Sequence, residues 1–175
     1  MLIFKTIIIM KRSIAIFIAI VGFFSIAIAQ KKIASPPEVA VAEVNGKKIA
    51  INYGSPSVKG REIWGKLVPF DKVWRAGANE ATTFETSGNV KIDGFMLPAG
   101  KYSLFIIPNE KECIIIFSKQ KNQWGSYDYK QSEDQLRIKV VPKPTTESTE
   151  KLTYSIVGET VSLKWEKWDL SFRVN

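Results

Sequence analysis

From Ser35 onward the apolar residues recur at every second position rather than every third or fourth, and this commits the chain to strands. Val39, Val41 and Val44 lead into Asn45-Gly46, and Ile49, Ile51 and Tyr53 follow. Asn and Gly both tolerate the positive φ of a type I′ turn, so this dipeptide between alternating runs predicts a hairpin. Further runs fall at 82–86, 90–92, 102–107, 113–117, 136–141, 152–156, 161–165 and 170–174, separated by Ser87-Gly88-Asn89, Asp93-Gly94, Pro98-Ala99-Gly100, Pro108-Asn109 and Gly158. Nine or ten short strands so spaced predict an all-β fold: a single-domain antiparallel β-sandwich, immunoglobulin-like or jelly-roll-like. A long loop spans 54–79, with a short helical turn expected around Ile63 to Leu67. The stretch 119–135 reads as a polar, aromatic loop, and 142–150 as an exposed Pro/Thr/Glu-rich connection.

Leu97-Pro98-Ala99-Gly100-Lys101-Tyr102 places a tight turn before a strand. Immunoglobulin-like sandwiches enter strands this way, with the tyrosine hydroxyl returning to nearby backbone, so Tyr102 is expected to be structural.

Residues 1–29 read as a cleaved signal peptide. Lys11-Arg12 precedes an apolar stretch from Ile14 to Ile28, and Ala27-Ile28-Ala29 fits the small-x-small rule, which makes Gln30 the first mature residue. Met10 is an alternative start to Met1. The apolar stretch is about 15 residues, short of the roughly 20 that a retained helix needs to span a bilayer. No cysteine stands at the cleavage site, so a lipid anchor on an N-terminal cysteine is excluded. The expectation is a periplasmic or secreted protein with no membrane association after cleavage.

The net charge of +8 points less to nucleic acid than it first suggests. Lys5, Lys11 and Arg12 lie in the leader, and the remainder is near +5 with only the pairs Lys31-Lys32 and Lys47-Lys48 adjacent. No nucleic-acid partner is expected. The chain has no histidine, which removes Ser-His-Asp and Cys-His catalysis and imidazole metal ligands. The one cysteine, Cys113, lies in an apolar run and reads as a small buried hydrophobe that can form no internal disulfide. No cofactor and no metal are expected.

Two segments concentrate chemistry. Val73-Trp74-Arg75-Ala76-Gly77-Ala78-Asn79-Glu80 sets an aromatic face, a guanidinium, an amide and a carboxylate among small residues. Small neighbours let backbone approach a ligand, and Arg75 offers a planar fork for carboxylate or phosphate. The competing reading pairs Arg75 with Glu80 and puts Trp74 in the core. The second segment, Asn122 to Tyr129, carries Trp124 and Tyr127 among amides, materials of carbohydrate or peptide recognition. Its alternating Tyr127 and Tyr129 also fit a strand with an aromatic face. Arg61, with Lys59, joins Arg75 if the long loop folds back. The candidate ligand-binding residues are therefore Arg61, Trp74, Arg75, Asn79, Glu80, Trp124 and Tyr127, and none is assigned as catalytic.

Ser55 to Arg61, Leu67 to Thr83 with its Trp-Arg-x-Gly-x-Asn-Glu core, Leu97 to Phe105, and Gln123-Trp124-Gly125 together resemble an exported bacterial family, domain of unknown function 2911. The resemblance runs from about Ser35 to the C-terminus. It implies a secreted or periplasmic β domain and brings no activity, substrate or catalytic residue. The family pattern often has Trp where this chain has Cys113, which makes Cys113 a packing substitution.

The reading of function is a non-enzymatic cell-envelope binding module for a small polar or anionic ligand, such as a carbohydrate or carboxylate. The alternatives are a hydrolase using Glu80 with Asp71 or Asp128, or a structural or protein-interaction domain using a sheet edge or the Trp165/Trp168 end of the last hairpin.

Overall fold

The computed structural model describes residues 33–120 and 124–175, and the leader expectation lies outside them. Among these residues ten strands form: β1 Pro37–Val44, β2 Lys47–Gly54, β3 Thr83–Thr86, β4 Val90–Ile92, β5 Phe95–Leu97, β6 Gly100–Ile107, β7 Cys113–Ser118, β8 Asp134–Val140, β9 Lys143–Val157 and β10 Thr160–Arg173. An antiparallel sheet of order β1-β2-β3-β6-β7-β8 makes one layer. The long β9–β10 hairpin and the short β4–β5 hairpin make the other, and the bridge between Ile92 and Val174 joins them. The fold is the expected all-β sandwich, open rather than a closed barrel.

Local chemistry sets the corners. Asn45 and Gly46 have φ of 49° and 74°, and Asp93 and Gly94 have 47° and 89°, so these two of the three two-residue hairpins turn through the left-handed region at both positions. The Tyr102 hydroxyl donates to the Pro98 carbonyl at 2.9 Å, as expected for a strand-entry tyrosine.

Ile49, Ile51, Phe84, Leu104, Ile115 and Phe117 of the large sheet meet Leu152, Leu163, Trp165 and Phe172 of the long hairpin in the main core. β6 is also closed on its outer face. Phe105, Ile116 and Ala81 form a second apolar cluster under Val73 and Tyr129, so the loops 73–82 and 124–134 act as a third layer.

Three local expectations are corrected. No helix forms at 63–67. Val68 N–H donates to Ile63 C=O at 2.9 Å and Leu67 N–H to Glu62 C=O at 3.3 Å, which closes a wide turn instead. The connection at 142–150 is mostly the first half of β9, extended because β10 pairs with it. The runs 161–165 and 170–174 are mostly one strand, β10, whose alternation is broken by bulges around Glu166, a residue at φ 52°.

The titratable groups predict a pH profile. Burial raises the pKa of Tyr53, Tyr102, Cys113 and Tyr129, and raises that of Tyr154 well above its ordinary value. A group whose folded pKa lies above its unfolded one stabilises fully below the unfolded value, and that contribution is lost as pH rises through the folded pKa. With no histidine in the chain, the melting temperature is expected to be flat between about pH 6 and 8, to begin falling above roughly pH 8.5 as the unfolded Cys113 thiol ionises, and to fall further above about pH 10, where unfolded tyrosines ionise. Thermal melts across that range test this, and a transition between pH 6 and 8 would contradict it.

Candidate functional site

Residue 74 lies in the plane of the large sheet. Beyond the short strand β3, Trp74 N–H donates to Ile106 C=O at 2.8 Å and Ile106 N–H to Trp74 C=O at 2.9 Å, so 73–75 continue the edge that β3 leaves open along β6. Side chains alternate along extended backbone. Trp74 therefore enters the main core, where it stacks on Trp165 (5.9 Å, 18°) and meets Trp64 edge-on (5.7 Å, 87°). Its indole N–H donates to Gly77 C=O at 3.2 Å. The expectation of Trp74 as a flat wall for a ligand is corrected: the ring fills the core.

Val73 and Arg75 take the opposite face. Val73 packs on the outer cluster, and Arg75 lies beneath the second chemistry-bearing segment. A β-carbon placed on Gly125 would come within 3.8 Å of Arg75 Nη1 and 3.0 Å of the Tyr127 ring. The two segments are fastened together: Gly125 N–H donates to Asn79 C=O at 3.2 Å, Ser126 Oγ to Val73 C=O at 3.0 Å, and Glu80 and Trp124 form an antiparallel bridge. Directly opposed residues in such a bridge present their side chains to the same side. The shape requires glycine at 125, which has φ +72° and the Tyr127 ring close over it.

Arg75 does not pair with Glu80. Among the described residues it forms no ion pair, and its Nε is buried with no hydrogen-bond partner. Ala76 at φ 54° and Asn79 at φ 64° turn the chain between the two residues. Glu80 is exposed. The Asn79 amide donates to Ser35 C=O at 3.1 Å and so braces the start of the described chain. Trp124 is 64% exposed and Tyr127 84% exposed, a large apolar area to leave in water. Asn122 and Gln123 lie outside the described residues.

Arg61 is not part of this group by any contact: its guanidinium donates to Val58 C=O at 3.0 Å and Ser57 C=O at 2.5 Å and holds its own turn. Asp71 accepts from Asn109 Nδ2 at 2.9 Å beside the turn after β6, an engagement that serves the loop rather than Glu80. Trp165 is buried and Trp168 stacks on Trp64 at 4.3 Å and 11°, so the exposed aromatic end expected of the last hairpin is absent.

The segment carries a brace that the sequence did not suggest. The Tyr129 hydroxyl donates to Asp134 Oδ2 at 2.7 Å and accepts from Arg137 Nη2 at 2.8 Å, while Arg137 Nε donates to the same carboxylate at 2.6 Å. Burial and the Asp134 contact raise the Tyr129 pKa. Burial lowers that of Arg137, but the hydrogen bonds from Tyr129 and Asp134 outweigh it and leave it raised. This triad fixes the far end of the loop that presents Trp124 and Tyr127.

The family model for protein of unknown function DUF2911 matches residues 35–174. The chain belongs to this family. Comparison with curated proteins finds no match, and comparison with solved structures finds none. The match to DUF2911 spans both candidate segments, from Val73 to Glu80 and from Trp124 to Tyr129.

Proposed function

We propose that this DUF2911 chain is a non-enzymatic binding module, exported through its leader, that holds a small polar or anionic ligand such as a carbohydrate or carboxylate. The site is the surface where 73–80 meet 124–129. One observation carries the reading: the segment that covers a half-buried guanidinium, whose Nε has no partner among the described residues, exposes two aromatic rings, Trp124 and Tyr127. A buried guanidinium nitrogen without a hydrogen-bond partner is costly to the fold, and exposed Trp and Tyr contribute little to it. Both features favour a partner from outside. Lys11-Arg12, the apolar stretch and Ala27-Ile28-Ala29 support export.

The test is a panel of neutral glycans, acidic glycans and simple carboxylates titrated against the wild type and Trp124→Ala. Wild type is expected to bind at least one member, and Trp124→Ala to weaken that binding about tenfold or more, as for a central aromatic contact. Its unfolding free energy is expected to stay within about 0.5 kcal/mol of wild type, because the ring is exposed. If no member binds or raises the melting temperature, the reading fails.

A further inference from the structure

We infer that the ligand is an acidic sugar: a pyranose bearing a carboxylate, its ring on Trp124 and Tyr127, its carboxylate on Arg75 and its hydroxyls toward Glu80. This rests on the binding reading above and narrows it to one ligand class. The site has three chemically distinct parts in contact sequence. Arg75 Nη1 and the Tyr127 ring both lie against Gly125. Trp124 is the next residue, and Glu80 is its bridge partner. Arg75 and Tyr127 thus meet at Gly125, one residue along the chain from the paired Trp124 and Glu80.

Each part selects. The guanidinium is a rigid planar fork that matches a carboxylate with two parallel N–H donors. The exposed rings match the flat C–H face of a sugar ring, which is apolar although its edges are hydroxylated. Glu80 accepts hydrogen bonds and donates none when ionised, which suits hydroxyl groups and opposes a second anion. A neutral sugar leaves Arg75 without a partner, and a simple carboxylate leaves both rings bare. A phosphorylated ligand carries more charge than one fork matches and places it near Glu80. Only a ring with hydroxyls and one carboxylate uses all three parts.

The experiment titrates the full chain with the methyl glycosides of galacturonate, glucuronate and mannuronate, each a single ring with one carboxylate, and with the methyl ester of each. Esterification removes the charge and keeps the ring. At least one acid is expected to bind about tenfold more tightly than its ester, with an affinity that falls as salt rises. Arg75→Gln is expected to abolish the preference for that acid over its ester. Arg75→Lys keeps the charge without the fork and is expected to retain part of the preference; it also serves if the glutamine variant is poorly folded. Equal binding of acid and ester overturns the inference and leaves the binding module intact. Binding of neutral glycans or simple carboxylates alone does the same. If no glycan or carboxylate of any kind binds, the underlying reading falls with it.

Discussion

Replacing Gly54 by alanine is expected to lower the unfolding free energy by about 3 kcal/mol, the upper part of the range for overpacking a closed site. A β-carbon at Gly54 would lie 2.3 Å from the Ala78 carbonyl oxygen and 3.0 Å from its carbon. These are backbone atoms, and they cannot swing away as a side chain can. The opposing strand of the crossing is equally fixed. Ala78 N–H donates to Gly54 C=O at 3.2 Å, and the neighbouring Ala76 carbonyl accepts from both Thr82 Oγ1 and the Tyr154 hydroxyl at 2.9 Å. Gly77 faces Gly54 from the other side, where a β-carbon would meet Thr82 Oγ1 at 2.7 Å and the Gly54 carbonyl oxygen at 3.1 Å. The end of β2 and the loop 76–78 therefore touch with nothing between them.

Gly88→Ala is the control. The nearest atoms there belong to the Lys47 side chain, at 3.1 Å, and a flexible chain moves aside. That variant is expected to lose less than about 1 kcal/mol. Urea unfolding of the two, compared by midpoint at constant slope, gives the answer. Equal stability of the two variants would show that the 76–78 loop is not pinned to β2. Since that loop separates Arg75 from Asn79 and Glu80, Gly54→Ala is also expected to abolish binding at the site.

The strands were legible because their side chains divide between a buried and an open face. Ile49, Ile51 and Tyr53 are buried while Lys48 and Asn52 are exposed, and this is what periodicity reads. The first half of β9 has no such division. Its Lys, Thr and Glu residues lie mostly in water, so pairing with β10 keeps it extended, and no local pattern reports a pairing partner. The site shows the same limit. Trp74 and Trp124 stand in similar company, each beside small and polar residues, yet one is core and the other surface. The difference is the bridge from Trp74 to Ile106 on a strand closed on both faces, which no window around residue 74 contains. Sequence proximity also suggested that Arg75 would meet Glu80; two left-handed residues between them change the direction of the chain. What brought Arg75 to Trp124 and Tyr127 was the apolar outer face of β6 and β7, which needed both loops as a cover.

Trp165→Ala is expected to cost about 4 kcal/mol, as for other buried Trp-to-Ala changes. Trp165 is 1% exposed, stacked on Trp74 and set edge-on to Trp64 at 6.0 Å and 77°. Trp64 continues the stack onto Trp168, and Phe70 stacks on that ring too, at 6.0 Å and 16°. Three rings of the long loop 54–79 are thus held by two rings of β10, and Trp165 touches two of the three. Its indole N–H has no hydrogen-bond partner among the described residues, so the loss is one of packing and buried apolar area. Phenylalanine restores part of both, and Trp165→Phe is expected to fall between alanine and wild type. Removing the ring loosens Trp74, and Arg75 is covalently next to it, so binding is expected to weaken together with stability. Trp124→Ala should do the reverse, weakening binding at nearly full stability. Calorimetric unfolding and titration of both variants separate the two roles. A Trp165→Ala protein that melts with wild type would mean that the aromatic stack does not anchor the loop; the position of Arg75 would then depend on the Ile106 bridge and the Gly54 crossing alone.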